Sequence, residues 1–188
     1  MQIRRAIAVP ILILIASVVT TANAQTYKVD AAHSSLVFKV KHLDTGFIWG
    51  RFNTFDGSVA MENGAPTRFE FSVNADSIDT GIKKRDDHLR SPDFFAAKEF
   101  PKITFKSTAV KPAGDNAYEV TGDLTLHGQT KSITVTVTKT GQSSGQQGEK
   151  VGFASSFTVR RSDFGMNFMV GPVSDEVELH LGTEMRKS

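Results

Sequence analysis

Five histidines, the run Asp86-Asp87-His88 with Ser91 close behind it, and a complete lack of cysteine bound the chemistry open to this chain. His33, His42, His88, His127 and His180 lie far apart. They show no His-Glu-x-x-His spacing and there is no thiolate to join them, so a zinc site is not expected. Asp86, His88 and Ser91 are residue types of a hydrolase triad, yet neighbours on one short helix cannot take up the separate positions of nucleophile, base and orienting acid. The single Gly-x-Ser-x-Gly string, Gly141-Gln142-Ser143-Ser144-Gly145, lies in a run of Gln, Ser and Gly with no helical pattern after it, so it does not read as a nucleophile elbow. Glycine-rich phosphate loops are absent. No catalytic residue, metal ligand or cofactor is therefore expected.

The other unusual feature is phenylalanine, with 14 Phe against one Trp and two Tyr. Phe38, Phe52, Phe69, Phe71, Phe105, Phe153 and Phe157 fall on alternate positions of strand-like segments. Phe94, Phe95 and Phe164 lie in irregular stretches that could cap an opening. Such rings can line a greasy tunnel without demanding hydrogen bonds. They can equally fill an ordinary core, which is what large aromatics most often do. The residues alone favour the filled core.

These side chains need elements to hold them, and the elements read as strands. Eight segments alternate apolar and polar residues: Ser35 to His42, Ile48 to Met61, Arg68 to Ala75, Lys102 to Lys106, Tyr118 to Leu126, Lys131 to Thr140, Val151 to Val159 and Val173 to Leu181. In the second, Gly50 and Phe52 share one parity while Phe55, Gly57, Val59 and Met61 share the other, which predicts a β-bulge near Asn53-Thr54. Gly141 to Gly148 reads as a flexible connection. Eight half-buried strands joined mostly by short turns predict antiparallel pairing in a sandwich or a closed barrel. A barrel of eight is just wide enough to be filled by side chains or to hold one small ligand.

Asp76 to Pro101 is the one long interruption. Lys83 to Arg90 is charged and predicts a short exposed helix. Ser91-Pro92-Asp93 before Phe94-Phe95-Ala96-Ala97 predicts a second one. The stretch reads as a lid. Loops with few apolar contacts open first, and Phe94 and Phe95 can pack over a mouth when it shuts.

Within and around this lid the sequence becomes recognisable. Asp79-Thr80-Gly81, Arg85-Asp86-Asp87-His88-Leu89-Arg90-Ser91, Asp93-Phe94-Phe95 and Phe100-Pro101 are joined by Val120 to Gly128 and by Arg161-Ser162-Asp163-Phe164-Gly165-Met166. Together they resemble the signature of the YceI-like family of bacterial periplasmic polyisoprenoid-binding proteins. Asp30-Ala31-Ala32-His33-Ser34-Ser35 also fits, with alanine where the family more often has proline. The resemblance covers nearly all the chain after about Thr26. It implies an all-β, eight-stranded antiparallel lipocalin-like barrel, with the helical insertion between the third and fourth strands, holding a long isoprenoid or similar amphiphilic lipid. It thereby favours the tunnel over the filled core. The expected ligand-facing set is Phe38, Val40, His42, Phe52, Phe69, Phe71, Val73, Phe94, Phe95, Phe105, Leu124, Phe157 and Phe164. Asp79, Arg85, Asp86 and His88 are candidates for the lid or for meeting a lipid head group; a solvated helix with internal ion pairs is the blander reading of the last three.

Met1 to Ala24 reads as a cleaved signal segment: Arg4 and Arg5, an apolar run from Ala6 to Val19, then Ala22-Asn23-Ala24. Its apolar core is shorter than the ~20 residues needed to span a bilayer. One domain, residues 25–188, is expected in the periplasm. The full chain has 22 Lys+Arg and 20 Asp+Glu. Removing Arg4 and Arg5 balances the mature protein, so nothing electrostatic recommends nucleic acid as a partner. The expected partner is an isoprenoid or other long amphiphilic lipid, such as a quinone or its precursor, and transient membrane contact is compatible with that. The sequence does not set the oligomeric state, a homodimer being one option; the alternatives to carriage are an exported lipid-modifying enzyme using the same cavity and, behind it, a filled β-domain acting as a stress-response or protein-interaction module.

Overall fold

A computed structural model describes residues 24–188. The signal-segment reading therefore falls outside the described residues except for Ala24. Strand β1 (Gln25–Val29) is followed by β2 (Ser35–His42), β3 (Gly46–Phe52), β4 (Phe55–Glu62), β5 (Ala65–Asn74) and the two-residue β6 (Ile78–Asp79). Helix α1 (Lys83–Leu89) comes next, then β7 (Lys102–Gly114), β8 (Ala117–Leu126), β9 (Gln129–Gly145), β10 (Gly148–Arg160) and β11 (Val173–Lys187).

Every strand pair is antiparallel, and the sheet closes: β1-β4-β5-β7-β8-β9-β10-β11 returns to β1 as an eight-stranded barrel. Strand β11 is long enough to serve two neighbours on one edge. Its C-terminal residues pair with β1 at Val29↔Met185, and its N-terminal part pairs with β2 from Gly182↔Ser35 to Val173↔His42. β3 and β6 continue outward from β2. Closure leaves few open edges for pairing with another chain.

The two ends of the barrel differ. At one end are the tight turns β4–β5, β7–β8 and β9–β10, with Asn63 and Gly64 both at positive φ as a two-residue hairpin needs. Tyr27, Met61 and Met185 are almost fully buried there and plug the floor. At the other end gather the irregular segments: the 75–101 insertion, the His127-Gly128 turn and residues 161–172.

Several expectations are revised. β1 was not among the eight segments, because five residues with Tyr27 and Val29 as their inward pair give too short a pattern. The phase change at Asn53-Thr54 marks a break between two strands, since β3 pairs with β2 while β4 pairs with β1 and β5. The Gly141 to Gly148 run is mostly paired, with Gly141↔Gly152 and Gly145↔Gly148 in register. No second helix follows Pro92. The chain makes successive turns, and Ala96 at φ 44° lies in the left-handed region that no right-handed helix can continue through.

Candidate functional site

Inside the barrel lie two apolar cavities, of about 110 Å³ toward the floor and about 130 Å³ toward the lid. A single water needs roughly 10–15 Å³ of such space, and packed cores hold few voids larger than that. Ile103, Leu124, Phe157 and Leu179 line both cavities, so the two adjoin at these side chains, and a shift of those side chains would join them into one passage. Phe69, Phe71, Val73 and Phe105 face the floor half; Phe38, Val40, Phe52, Phe94 and Phe95 face the lid half.

Glycines set where the rings lie. Phe38 is the cross-strand partner of Gly50, and Phe71 that of Gly57. A Cβ on Gly50, Gly57 or Gly122 would come closer than 3.0 Å to the ring of Phe38, Phe71 or Phe105 respectively. Three rings therefore occupy the space that a side chain would take on the neighbouring strand, which leaves more of the interior free.

The polar groups of Ser155 and Arg161 in the lining are already used. Ser155 donates to the Thr136 carbonyl at 2.7 Å. Arg161 is buried and gives its Nε–H to Ser174 O at 3.0 Å, its Nη1 to Met166 O at 2.8 Å and Phe168 O at 2.7 Å, and its Nη2 to Val173 O at 2.9 Å. Burial lowers its pKa, opposed by the Asp175 carboxylate, and a guanidinium remains charged through any physiological pH. One side chain thus holds the whole 166–174 loop. Next to it, burial pushes the Asp175 carboxyl up, but hydrogen bonds from Ser162 and Arg160 outweigh this and leave it below the usual 3.8.

The lid is fastened as well. Asp86, buried on a charged helix, accepts from Thr80 N at 2.9 Å and Thr80 Oγ1 at 2.5 Å. Arg85 donates to Thr80 Oγ1 and Thr80 O, and Arg90 donates to Asp76 O and Ile78 O. Helix α1 is thereby tied to β6, itself held to β3 by only Arg51↔Asp79 and Phe52↔Ile78. Over the mouth, Phe95 meets Phe52 edge-on at 5.7 Å, while Phe94, His88 and Phe168 form a cluster of rings 5.1–5.6 Å apart.

A closed barrel with a strapped lid and an apolar passage can be set beside known proteins. The model of the YceI-like domain matches residues 27–185. The chain belongs to the YceI-like family. A UPF0312 protein of Pseudomonas aeruginosa is 41% identical over 168 residues, 87% of each chain, and one of Yersinia pestis is 39% identical over 169 residues, 87% of this chain and 88% of that one. Among solved structures, Burkholderia cenocepacia BcnA superposes with a TM-score of 0.72 at 30% identity, covering 83% of this chain and 98% of its own. A polyisoprenoid binding domain from Saccharophagus degradans shares the fold at TM-score 0.69 and 15% identity, covering 86% and 98%.

In this YceI-like barrel, eleven of the side chains expected to face a ligand line the passage, and two do not. Phe164 is buried beside it, against Leu124, Leu126 and Met166. His42 sits half-buried at the end of β2, opposite Val173. Asp79, Arg85, Asp86 and His88 line neither cavity. Asp79 accepts from the Gly81 amide and Asn53, which hold it below 3.8; His88 bonds Asp93 at 2.9 Å. Their polar atoms brace the lid. Arg161 stood in the sequence only as part of a family motif, with no sign of its loop-anchoring role, and the Phe–Gly pairs were not read at all, although Gly50, Gly57 and Gly122 on inward parity next to phenylalanine strands could have signalled them.

Proposed function

We propose that this protein binds a long isoprenoid or related amphiphilic lipid inside the barrel, in the periplasm, and stores or carries it there without chemical change. The observation that carries this reading is the passage from lid to floor, walled by phenylalanine and aliphatic side chains whose few polar neighbours already have partners. Each buried methylene-sized group contributes about 0.8 kcal/mol. A few isoprene units therefore offset the roughly 4–15 kcal/mol cost of association. A polar head would find no free donor in this lining and would stay at the mouth. A quinone or its precursor has that build: a long apolar tail with one compact polar ring.

Organic extraction of the purified mature protein, followed by mass spectrometry, tests the proposal. A prenyl lipid at near one per chain is the expected result. A chemically altered lipid that accumulates on incubation points to an enzyme, and an empty extract from protein that also refuses added prenyl lipid overturns lipid carriage.

A further inference from the structure

The β2–β3 hairpin is built against the usual rule. Thr45 N donates to His42 O at 3.1 Å, and both central residues, Leu43 (φ 50°) and Asp44 (φ 54°), are left-handed. Asn-Gly is the ordinary solution for such a turn, and the chain uses it at Asn63-Gly64 on the floor. At the lid end it instead places a leucine there, 56% exposed. The same arrangement recurs in the loop beside it. Met169 is left-handed (φ 53°) and 42% exposed, between Phe168 at 40% and Val170 at 45%. Leu43 N donates to Pro172 O at 2.8 Å, so the two loops form one surface. A strained backbone that holds an apolar side chain in water is retained only where something else repays it.

We propose that this surface docks the protein on a phospholipid bilayer, with Leu43, Phe168, Met169 and Val170 entering the acyl boundary. The inference deepens the lipid-binding reading and rests on it for its purpose, since a water-insoluble cargo must cross from membrane to barrel. Continuity with the passage selects a bilayer as the occupant. Phe168 packs on Phe94, which lines the lid half of the cavity, and Arg161 holds the Phe168 carbonyl. Phe47 and Trp49, 59% and 55% exposed, follow up the outer wall of β3. Trp49 stands three residues beyond Gly46, roughly 10 Å from the turn at 3.3 Å per residue. That is the height at which an interfacial tryptophan meets head groups while the tip sits 5–10 Å deep. Charges beside this surface are mixed and paired, with Lys41 bound to Asp44 at the tip, and Lys39, which lies over the Phe47 and Trp49 rings, bound to Glu178. Docking is therefore driven by apolar contact and does not require anionic lipid.

Trp49 is the only tryptophan and reports directly. Mature protein is titrated with phosphatidylcholine vesicles, with and without one-third phosphatidylglycerol, at low and high salt. The expected result is a saturating blue shift, quenched by brominated phosphatidylcholine and nearly independent of salt and anionic lipid. Leu43→Asn with Met169→Asn should weaken vesicle affinity at least tenfold. Asparagine tolerates the left-handed region, so the double variant should melt no lower than the wild type. A wild-type protein whose emission and sedimentation ignore vesicles overturns the proposal, as does a double variant that binds them equally well. So does a dimer, seen without vesicles, that the two substitutions break, because the surface then belongs to a second copy. Prenyl lipid in the extract of a protein that ignores vesicles sinks docking alone; docking by a protein that takes no prenyl lipid sinks only the carriage reading.

Discussion

The ring of Phe38 lies over the α-carbon of Gly50, its partner across β2 and β3, with no room between them for a methyl group. The third close neighbour of that absent methyl is Thr80, which anchors helix α1 through Asp86. One glycine thus sets both the wall of the lid-end cavity and the seat of the lid.

Gly50→Ala should push the Phe38 ring into the cavity, lower the lipid recovered with the protein and cost about 1–3 kcal/mol through crowding. Adding Phe38→Leu should restore the lipid content and part of the stability, the crowding against Thr80 remaining. Lipid content by mass spectrometry and urea midpoints check this. Full lipid content in Gly50→Ala would show that the ring position does not govern capacity.

Much of this arrangement was legible in the chain. Alternation in Ser35 to His42 or Tyr118 to Leu126 gives the inward parity directly, because a half-buried strand has a period of two and the side chains follow it. Closure through β1 was not legible. It depends on β11 changing partners along its length, and Gln25 to Val29 has too few residues to show a period. The burial of Asp86 and Arg161 was not legible for a different reason. Their neighbours in sequence are charged, so they read as solvated. Their burial comes from partners that the fold brings in, Thr80 for one and the carbonyls of the 166–174 loop for the other.

The lid should be the part that responds to cargo. Gly81 at φ 79° lies in a region open to glycine, ahead of α1, and Ser91-Pro92 follows it. Hydrogen exchange with and without bound prenyl lipid should show added protection from Ile82 to Phe95, excluding Pro92. Equal exchange in this segment, with protection changing instead at the β9–β10 turn near Gly145, would place the entrance on the floor.

The mouth loop should be acid-sensitive. Asp175 titrates below its ordinary 3.8 in the folded protein. A lowered folded pKa adds stability that is present above the unfolded value and is lost as pH falls through the folded one. The melting temperature should accordingly hold from pH 7 to about 5 and drop below about 4. In Asp175→Asn the protein should start lower and show a shallower acid drop. An identical acid profile in the variant would remove Asp175 from the account.

One lipid tail should occupy one passage through the narrow point at Phe157. Titrating delipidated protein with a prenylquinone under native mass spectrometry tests it most directly. The expected spectrum saturates at one ligand per chain. Phe157→Trp should stay nearly bare, while its stability falls by less than the roughly 1–3 kcal/mol that overpacking a filled core costs. Multiple non-saturating adducts, or equal loading of Phe157→Trp alongside a marked loss of stability, would mean that the barrel is a packed core and the lipid sits elsewhere.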